Sequence, residues 1–79
     1  MKILFQGDSI TDGNRGRTDD PNHIMGHGFA FSIASRLGAK YPAKFEFINK
    51  GNSGDDVLKL LARWRLDAVL LKPDLVSIL

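Results

Sequence analysis

An apolar run at residues 2–6 ends abruptly on Gly-Asp-Ser, so the hydroxyl of Ser9 directly follows a strand-like segment. The residues alone leave two interpretations of this hydroxyl open. Asp8 or Ser9 can cap a turn or helix after the strand, and spacing alone favours this role. Ser9 can also be a nucleophile whose backbone N–H faces a reacting oxyanion. It then needs a neighbouring base, because a serine hydroxyl is weakly nucleophilic by itself.

A second polar loop, GNSGDD at residues 51–56, follows the next strand-like run and contains Gly54 just before a predicted helix. Gly54 can serve simple turn chemistry, and it can also present its N–H to a substrate oxygen near the positive end of a helix. The two roles are compatible. Ligands bind beyond the carboxyl ends of the strands in open parallel sheets, so we expect the two loops to lie together and form the site.

Phosphate and metal sites are less well supported by the sequence. GDSITDG lacks the lysine and the spacing of a P-loop, and GHGFAF at residues 26–31 lacks the final glycine of a dinucleotide fingerprint. His23 and His27 are four residues apart, but Pro21 and the glycines around His27 argue against a helix there, and no third ligand is evident. We therefore expect no metal and no organic cofactor.

The elements that position these loops follow from hydrophobic periodicity and from Gly and Pro positions. The pattern predicts strands at residues 2–6, 44–49 and 74–79, helices at 29–38 and 54–71, and a long loop at 7–27. Ser53 is predicted to cap the second helix, with Asp56 as its capping-box partner. The order β-α-β-α-β with right-handed crossovers predicts a parallel sheet flanked by helices.

Length and composition limit the class of protein. The 79 residues suit one small domain, residues 1–79, without cysteine and with a net charge of +2. No basic patch suggests nucleic acid, and no apolar run is long enough to span a membrane. The N-terminal apolar run is too short for a signal peptide, so we expect a soluble, cytoplasmic protein.

The predicted third strand is as apolar as a sheet interior and ends at Leu79. A bare apolar edge invites pairing with another chain. We therefore expect this edge to be covered, either by a further segment of a larger α/β domain or by another subunit of an oligomer.

GDSITDG resembles block I of the SGNH hydrolases, also called GDSL-type esterases and lipases, and INKGNSGDD is similar to their block II. The resemblance extends to the order of elements over the whole chain. It implies a flavodoxin-like three-layer α/β fold with strand order 2-1-3, of which these residues are the N-terminal portion. It also implies a carboxylic ester hydrolase that forms an acyl-serine on a small ester, such as an acylated sugar, a lipid or a short-chain ester.

The resemblance assigns roles to three residues. Ser9 is the nucleophile and gives one oxyanion N–H, and Gly54 gives a second. Asp8 orders the block I loop and is not expected to be the triad acid, because that acid must orient a histidine.

Two elements of that family are missing from the 79 residues. One is an asparagine donor in a Gly-x-Asn-Asp block after the third strand, and the other is the D-x-x-H block that carries the catalytic histidine. Asp20 and His23 have D-x-x-H spacing in DPNH, but their place in the chain is wrong for that block, so we interpret them as loop residues beside the site.

We accordingly expect the 79 residues alone to be inactive. The alternative to an esterase is a non-enzymatic flavodoxin-like module that binds a small ligand or a partner. Phosphate or nucleotide recognition on the same sheet is the least favoured alternative.

Overall fold

The computed structural model describes residues 1–17 and 23–79. Its single three-stranded sheet has the order β2-β1-β3, with β1 at Lys2–Gln6, β2 at Glu46–Asn49 and β3 at Leu75–Ile78. Both neighbours run parallel to β1. The predicted strand order 2-1-3 and the parallel α/β class are therefore confirmed.

The central strand β1 carries the core. Leu4 pairs with Ile48 on one side and with Val76 on the other, and it is completely buried. On one face of the sheet, Ile3 and Phe5 pack against Ala30 of helix α2, which spans Phe29–Lys40. Strands buried by two neighbours and by helices need apolar residues at nearly every position, which is why ILF reads as one continuous run.

Helix α2 spans Phe29–Lys40, two residues beyond the predicted end. The sequence analysis placed the end at Gly38, which instead lies inside the helix. The backbone N–H of Tyr41 still donates to the Leu37 carbonyl at 2.9 Å. The helix stops there because the residue before Pro42 is disfavoured in the helical conformation.

The segment predicted as a loop at residues 7–27 contains a single helical turn, α1 at Ser9–Asp12. Its N-cap is Asp8, whose side chain accepts a hydrogen bond from the Ile10 N–H at 3.0 Å. Gly13 ends the turn in the left-handed conformation, with φ of 54°. A four-residue helix is too short to show a hydrophobic period, so periodicity could not predict it.

The helix predicted at residues 54–71 is instead three short pieces. They are α3 at Val57–Ala62, α4 at Trp64–Asp67 and a 3₁₀ turn at Val69–Leu71. The predicted Ser53 cap is wrong, because Asp56 caps α3 by accepting from the Lys59 N–H at 2.9 Å.

A strip of apolar side chains on this part of the molecule is more than half exposed. Its members are Val57, Leu58 and Leu61 on α3, Leu66 on α4, Val69 and Leu70 in the 3₁₀ turn, and Leu75, Ile78 and Leu79 at β3. Our expectation that another segment or subunit covers the β3 edge stays a prediction. No helix within residues 1–17 and 23–79 is long and apolar enough to cross a membrane.

Two glycines allow a direct test of where the backbone is tightly packed. A Cβ on Gly51 would lie 2.5 Å from the Asp12 nitrogen and 2.8 Å from Thr11 atoms. Backbone atoms cannot move aside cheaply, so we expect Gly51→Ala to lower the free energy of unfolding by about 1–3 kcal/mol. Urea denaturation of the protein from its complete reading frame measures this change.

The matched control is Gly38→Ala, the same substitution within α2. Its Cβ would have only a Phe47 ring atom at 4.0 Å as a neighbour. Alanine is the better helix former, so the free energy of unfolding should rise by about 0.5–1 kcal/mol. If Gly51→Ala and Gly38→Ala changed the free energy of unfolding equally, the close packing of Gly51 against α1 would be contradicted.

Candidate active site

Ser9 is the first residue of α1 and is exposed at the carboxyl end of β1. The sequence left open whether Asp8 or Ser9 caps the turn after β1, and the structure shows that Asp8 is the N-cap of α1. The Ser9 hydroxyl is thus not used as a cap. Within residues 1–17 and 23–79, neither the hydroxyl nor the backbone N–H of Ser9 is hydrogen-bonded to another residue.

Gly54 is exposed and has φ of 87°, a backbone conformation that side-chain-bearing residues rarely adopt. It does not lie directly before a helix as predicted, because α3 begins three residues later at Val57. The positive end of a helix dipole therefore does not account for a role of the Gly54 N–H in binding a substrate oxygen. Among the described residues, that N–H has no hydrogen-bond acceptor.

The two polar loops are in direct contact at the carboxyl ends of β1 and β2. The Gly7 carbonyl accepts from the Asn52 N–H at 3.0 Å, and the Phe5 carbonyl accepts from the Lys50 N–H at 2.9 Å. Gly7 itself has φ of 153° and leaves no room for a Cβ, which would overlap the Thr11 hydroxyl. The register of the parallel pair thus continues beyond the strands and brings the loops together.

Asp12 is the charged centre of this contact. It is 2% exposed, and its carboxylate accepts five hydrogen bonds. Arg17 donates from both Nη atoms at 2.8 and 2.7 Å, and Arg15 donates its backbone N–H at 3.0 Å. Ser53, in the other loop, donates its N–H at 2.9 Å and its hydroxyl at 3.0 Å.

These bonds explain the charge state of Asp12. The hydrogen bonds from the Arg17 guanidinium hold the pKa of the Asp12 carboxyl well below its usual range. Burial by itself raises this pKa, and the bonds from Ser53 and Arg15 lower it further. A buried carboxylate is stable only when its charge is compensated in this way. The sequence analysis did not single out Asp12, because an aspartate before a loop glycine is ordinary turn chemistry.

Asn49 supplies a second, neutral link at the end of β2. Its side-chain amide is buried and donates to the Thr11 carbonyl and the Met25 carbonyl, both at 2.9 Å. Its Oδ1 accepts from the Gly51 N–H at 2.9 Å. One side chain therefore holds α1, the last part of the loop before α2 and the block II turn.

Arg63 performs the corresponding role on the other face of the sheet. Its Nε donates to Asp55 at 2.6 Å, and one Nη donates to Gln6 Oε1 at 2.9 Å and to the Lys50 carbonyl at 2.7 Å. The bond from Arg63 lowers the pKa of Asp55. Gln6 completes the link by donating to the Asp67 carbonyl. Sequence reasoning missed Arg63 because it lay off the apolar stripe of an assumed continuous helix.

Two depressions lie near these networks. A small one of about 190 Å³ is beside Asp8, between the ends of β1 and β3 and the start of α3. Its apolar walls come from Val57, Leu60, Ile78 and Leu79. A larger one of about 510 Å³ follows the outer edge of β2 and includes Arg15 and Lys50, and neither Ser9 nor Gly54 lines it.

The histidines are near each other, with ring centroids of His23 and His27 separated by 5.7 Å. The His23 carbonyl accepts from the Gly16 and Gly26 N–H groups, so this residue closes the loop through its backbone. Asp20 lies outside the described residues, and the predicted place of the Asp20–His23 pair beside the site stays a prediction. In the part of the chain that is described, no three His, Asp or Glu residues form a group able to hold a metal ion.

The fold of this chain is shared with solved structures of known esterases. No family model matches the chain. It is 42% identical over 81 residues to an acetylxylan esterase from Geobacillus stearothermophilus, covering 99% of this chain and 37% of that enzyme. The crystal structure of Axe2, an acetylxylan esterase from the same organism, matches with a TM-score of 0.87 over 98% of this chain and 36% of that one, at 42% identity.

Two further structures extend the comparison. A GDSL-like lipase from Parabacteroides merdae is 38% identical, with a TM-score of 0.91 over 99% of this chain and 38% of its own. LAE5, an alpha/beta hydrolase enzyme from the metagenome of Lake Arreo, is 36% identical, with a TM-score of 0.90 over 98% of this chain and 37% of its own. Other matched structures are catalytic mutants of Axe2 in which a serine, an aspartate or a histidine is replaced by alanine.

These matches place the chain in the α/β fold class of known ester hydrolases. More particularly, the chain is homologous in sequence and fold to the GDSL-type, or SGNH, hydrolases, and the resemblance of its two motifs to that family is confirmed. The chain spans little more than a third of the length of these relatives.

The lowered pKa of Asp12 predicts acid sensitivity. An unfolded aspartate titrates near pH ~3.9, whereas folded Asp12 stays charged at lower pH. The stabilisation is therefore fully present above that value and is lost as the pH falls towards the folded pKa. We expect Asp12→Asn to make the free energy of unfolding less dependent on pH below about pH 4. Urea denaturation at several pH values measures this, and an unchanged slope would contradict it.

Proposed function

We propose that these residues are part of a carboxylic ester hydrolase in which Ser9 is the nucleophile. The Ser9 Oγ bonds to the acyl carbon, the bond to the alcohol oxygen breaks, and a base passes the serine proton to the leaving alcohol. Water then hydrolyses the acyl-serine and releases the acid. The main support is an exposed, uncapped serine hydroxyl at the carboxyl end of β1, in a chain 42% identical to an acetylxylan esterase.

The same proposal gives Ser9 and Gly54 a second role as oxyanion donors. Backbone N–H groups aimed at the developing negative charge stabilise the tetrahedral intermediate. Both N–H groups lack an acceptor within residues 1–17 and 23–79, which supports their availability for a substrate oxygen. Asp8 supports the site by capping α1 and thereby orienting its first turn.

The base and its orienting acid are proposed to lie outside the 79 residues. In Axe2 the serine of the catalytic mutants lies near the start of the chain, and the aspartate and histidine lie close to each other far beyond it. The serine and the histidine are further apart than the 81 residues of the sequence match. This spacing supports a catalytic serine and a base on separate parts of a longer chain, with the 79 residues inactive alone.

We propose an acetylated sugar as the substrate class, because both the matched Geobacillus sequence and the Axe2 structure are named acetylxylan esterase. A lipid or another short-chain ester remains the alternative substrate. The proposal includes a single domain containing residues 1–79, a cytoplasmic location and no cofactor.

Labelling by a fluorophosphonate tests the role of Ser9. We expect the protein from its complete reading frame to react at Ser9 and to hydrolyse 4-nitrophenyl acetate. Ser9→Ala should abolish the labelling and lower kcat by at least about 10³-fold, since the acyl-serine cannot form. Mass spectrometry of the labelled peptide identifies the modified residue.

The matched control is Ser35→Ala, which removes an exposed hydroxyl from α2. It should retain full labelling and activity. Failure of the wild-type protein to label or to hydrolyse any short ester would contradict the proposal and favour the non-enzymatic binding module.

His23→Ala tests whether the base comes from the DPNH segment. We expect this variant to keep kcat within about twofold of the wild type, because we place the base outside these residues. Steady-state hydrolysis of 4-nitrophenyl acetate measures it. A loss as large as that of Ser9→Ala would make His23 the base and overturn this part of the proposal.

A further inference from the structure

The hydrogen bonds to the Asp12 carboxylate come from two sets of donors, one close to Asp12 in sequence and one distant. Arg15 and Arg17 follow Asp12 in the same loop, so their bonds are local. Ser53 is 41 residues away in sequence, and its N–H and hydroxyl both reach the Oδ2 atom. The local set holds the carboxylate in place, and the distant set attaches the second loop to it.

Both candidate oxyanion donors are close along the chain to this attachment. Ser9 and Asp12 belong to the same helical turn, which Asp8 caps and whose Asp12 N–H donates to the Asp8 carbonyl at 2.9 Å. Gly54 directly follows Ser53. The Asp12–Ser53 contact thus directly joins the turn that carries one donor to the residue before the other donor, beside the links that Asn49, Arg15 and Arg17 make between the two loops.

We propose that Asp12 is a positioning residue that sets the distance between the Ser9 N–H and the Gly54 N–H. This inference rests on the proposed function, because it matters only if the two groups share one oxyanion. Asp12 lies behind these donors, is 2% exposed and needs no contact with substrate.

The chemistry of the contact makes this role specific to a carboxylate. Among the described residues, every group that is hydrogen-bonded to the Asp12 carboxylate is a donor, so both oxygens must accept. An asparagine of nearly the same shape has one NH₂ group. In the place of Oδ1 this group faces the Arg15 N–H and one Arg17 Nη, and in the place of Oδ2 it faces both Ser53 donors and the other Arg17 Nη. Asp12→Asn therefore sets donor against donor at Arg17 in either orientation and loosens the contact between the two loops.

The expected consequence is a loss of rate more than of substrate binding. Oxyanion donors act on charge that develops in the transition state, and small displacements of catalytic groups reduce the rate strongly. In the protein from its complete reading frame, we expect Asp12→Asn to lower kcat for 4-nitrophenyl acetate about tenfold or more, with KM changed less than about threefold.

Two variants accompany it. Ser53→Ala removes only the hydroxyl bond and keeps the N–H bond, so it should lower kcat less than Asp12→Asn, again with little change in KM. Asp74→Asn is the control, because Asp74 also accepts a backbone N–H, that of Lys2 at 2.6 Å, but lies by the opposite end of the sheet. It should leave kcat and KM unchanged.

The outcomes separate this inference from the proposed function. If the wild type neither reacts with fluorophosphonate nor depends on Ser9 for hydrolysis, the proposed function fails, and this inference fails with it. If the wild type is active, either of two results for folded Asp12→Asn overturns the positioning role alone. One is an unchanged kcat, and the other is a change in KM by as large a factor as the change in kcat. If Asp12→Asn does not fold by circular dichroism, Ser53→Ala decides, and an unchanged kcat in that variant overturns the role.

Discussion

The arrangement of the polar end of the sheet depends on one buried charge, the Asp12 carboxylate. An unpaired buried charge is prohibitively costly, so folding must bring donors to it from wherever they are in the chain. Two of its bonds come from Ser53, beyond β2, and the others from residues just after α1. The loop after β2 thus cannot leave the loop after β1 without removing two of the five hydrogen bonds that compensate this charge.

The sheet makes this contact possible, and Arg63 extends it to the other face. Because β1 lies between β2 and β3, the ends of both outer strands are beside its own end. Arg63 joins Gln6 at that end to Asp55 in the block II loop and to the Lys50 carbonyl. Two charged residues on opposite faces therefore secure the same loop, while the apolar strip on α3, α4 and β3 is left exposed.

The parts of the fold that could be predicted are those that depend on local patterns. The runs ILF, FEFIN and DLVSIL indicate strands because they are rich in apolar, aromatic and β-branched residues, and the helical crossovers between them indicate a parallel sheet. The order of the strands came from the resemblance to the SGNH hydrolases. Helix α2 shows a clear period, whereas α1 has only four residues and shows none. The break at Arg63 was missed because its inward bonds join residues up to 57 positions apart. Periodicity cannot reveal such contacts, and the same holds for Asp12 and Asn49.

The capping observed at GDS is compatible with the catalytic role proposed for Ser9. Asp8 satisfies an N–H of the first helical turn, so the hydroxyl of Ser9 is not needed for that purpose and lies exposed beside it. Gly7 and Gly51 allow the backbones of the two loops to approach closely, and Asp12 joins those loops by charge. All of these contacts lie within the described residues. The geometry around Ser9 and Gly54 is therefore set by the residues of this chain, independently of where a catalytic base is supplied.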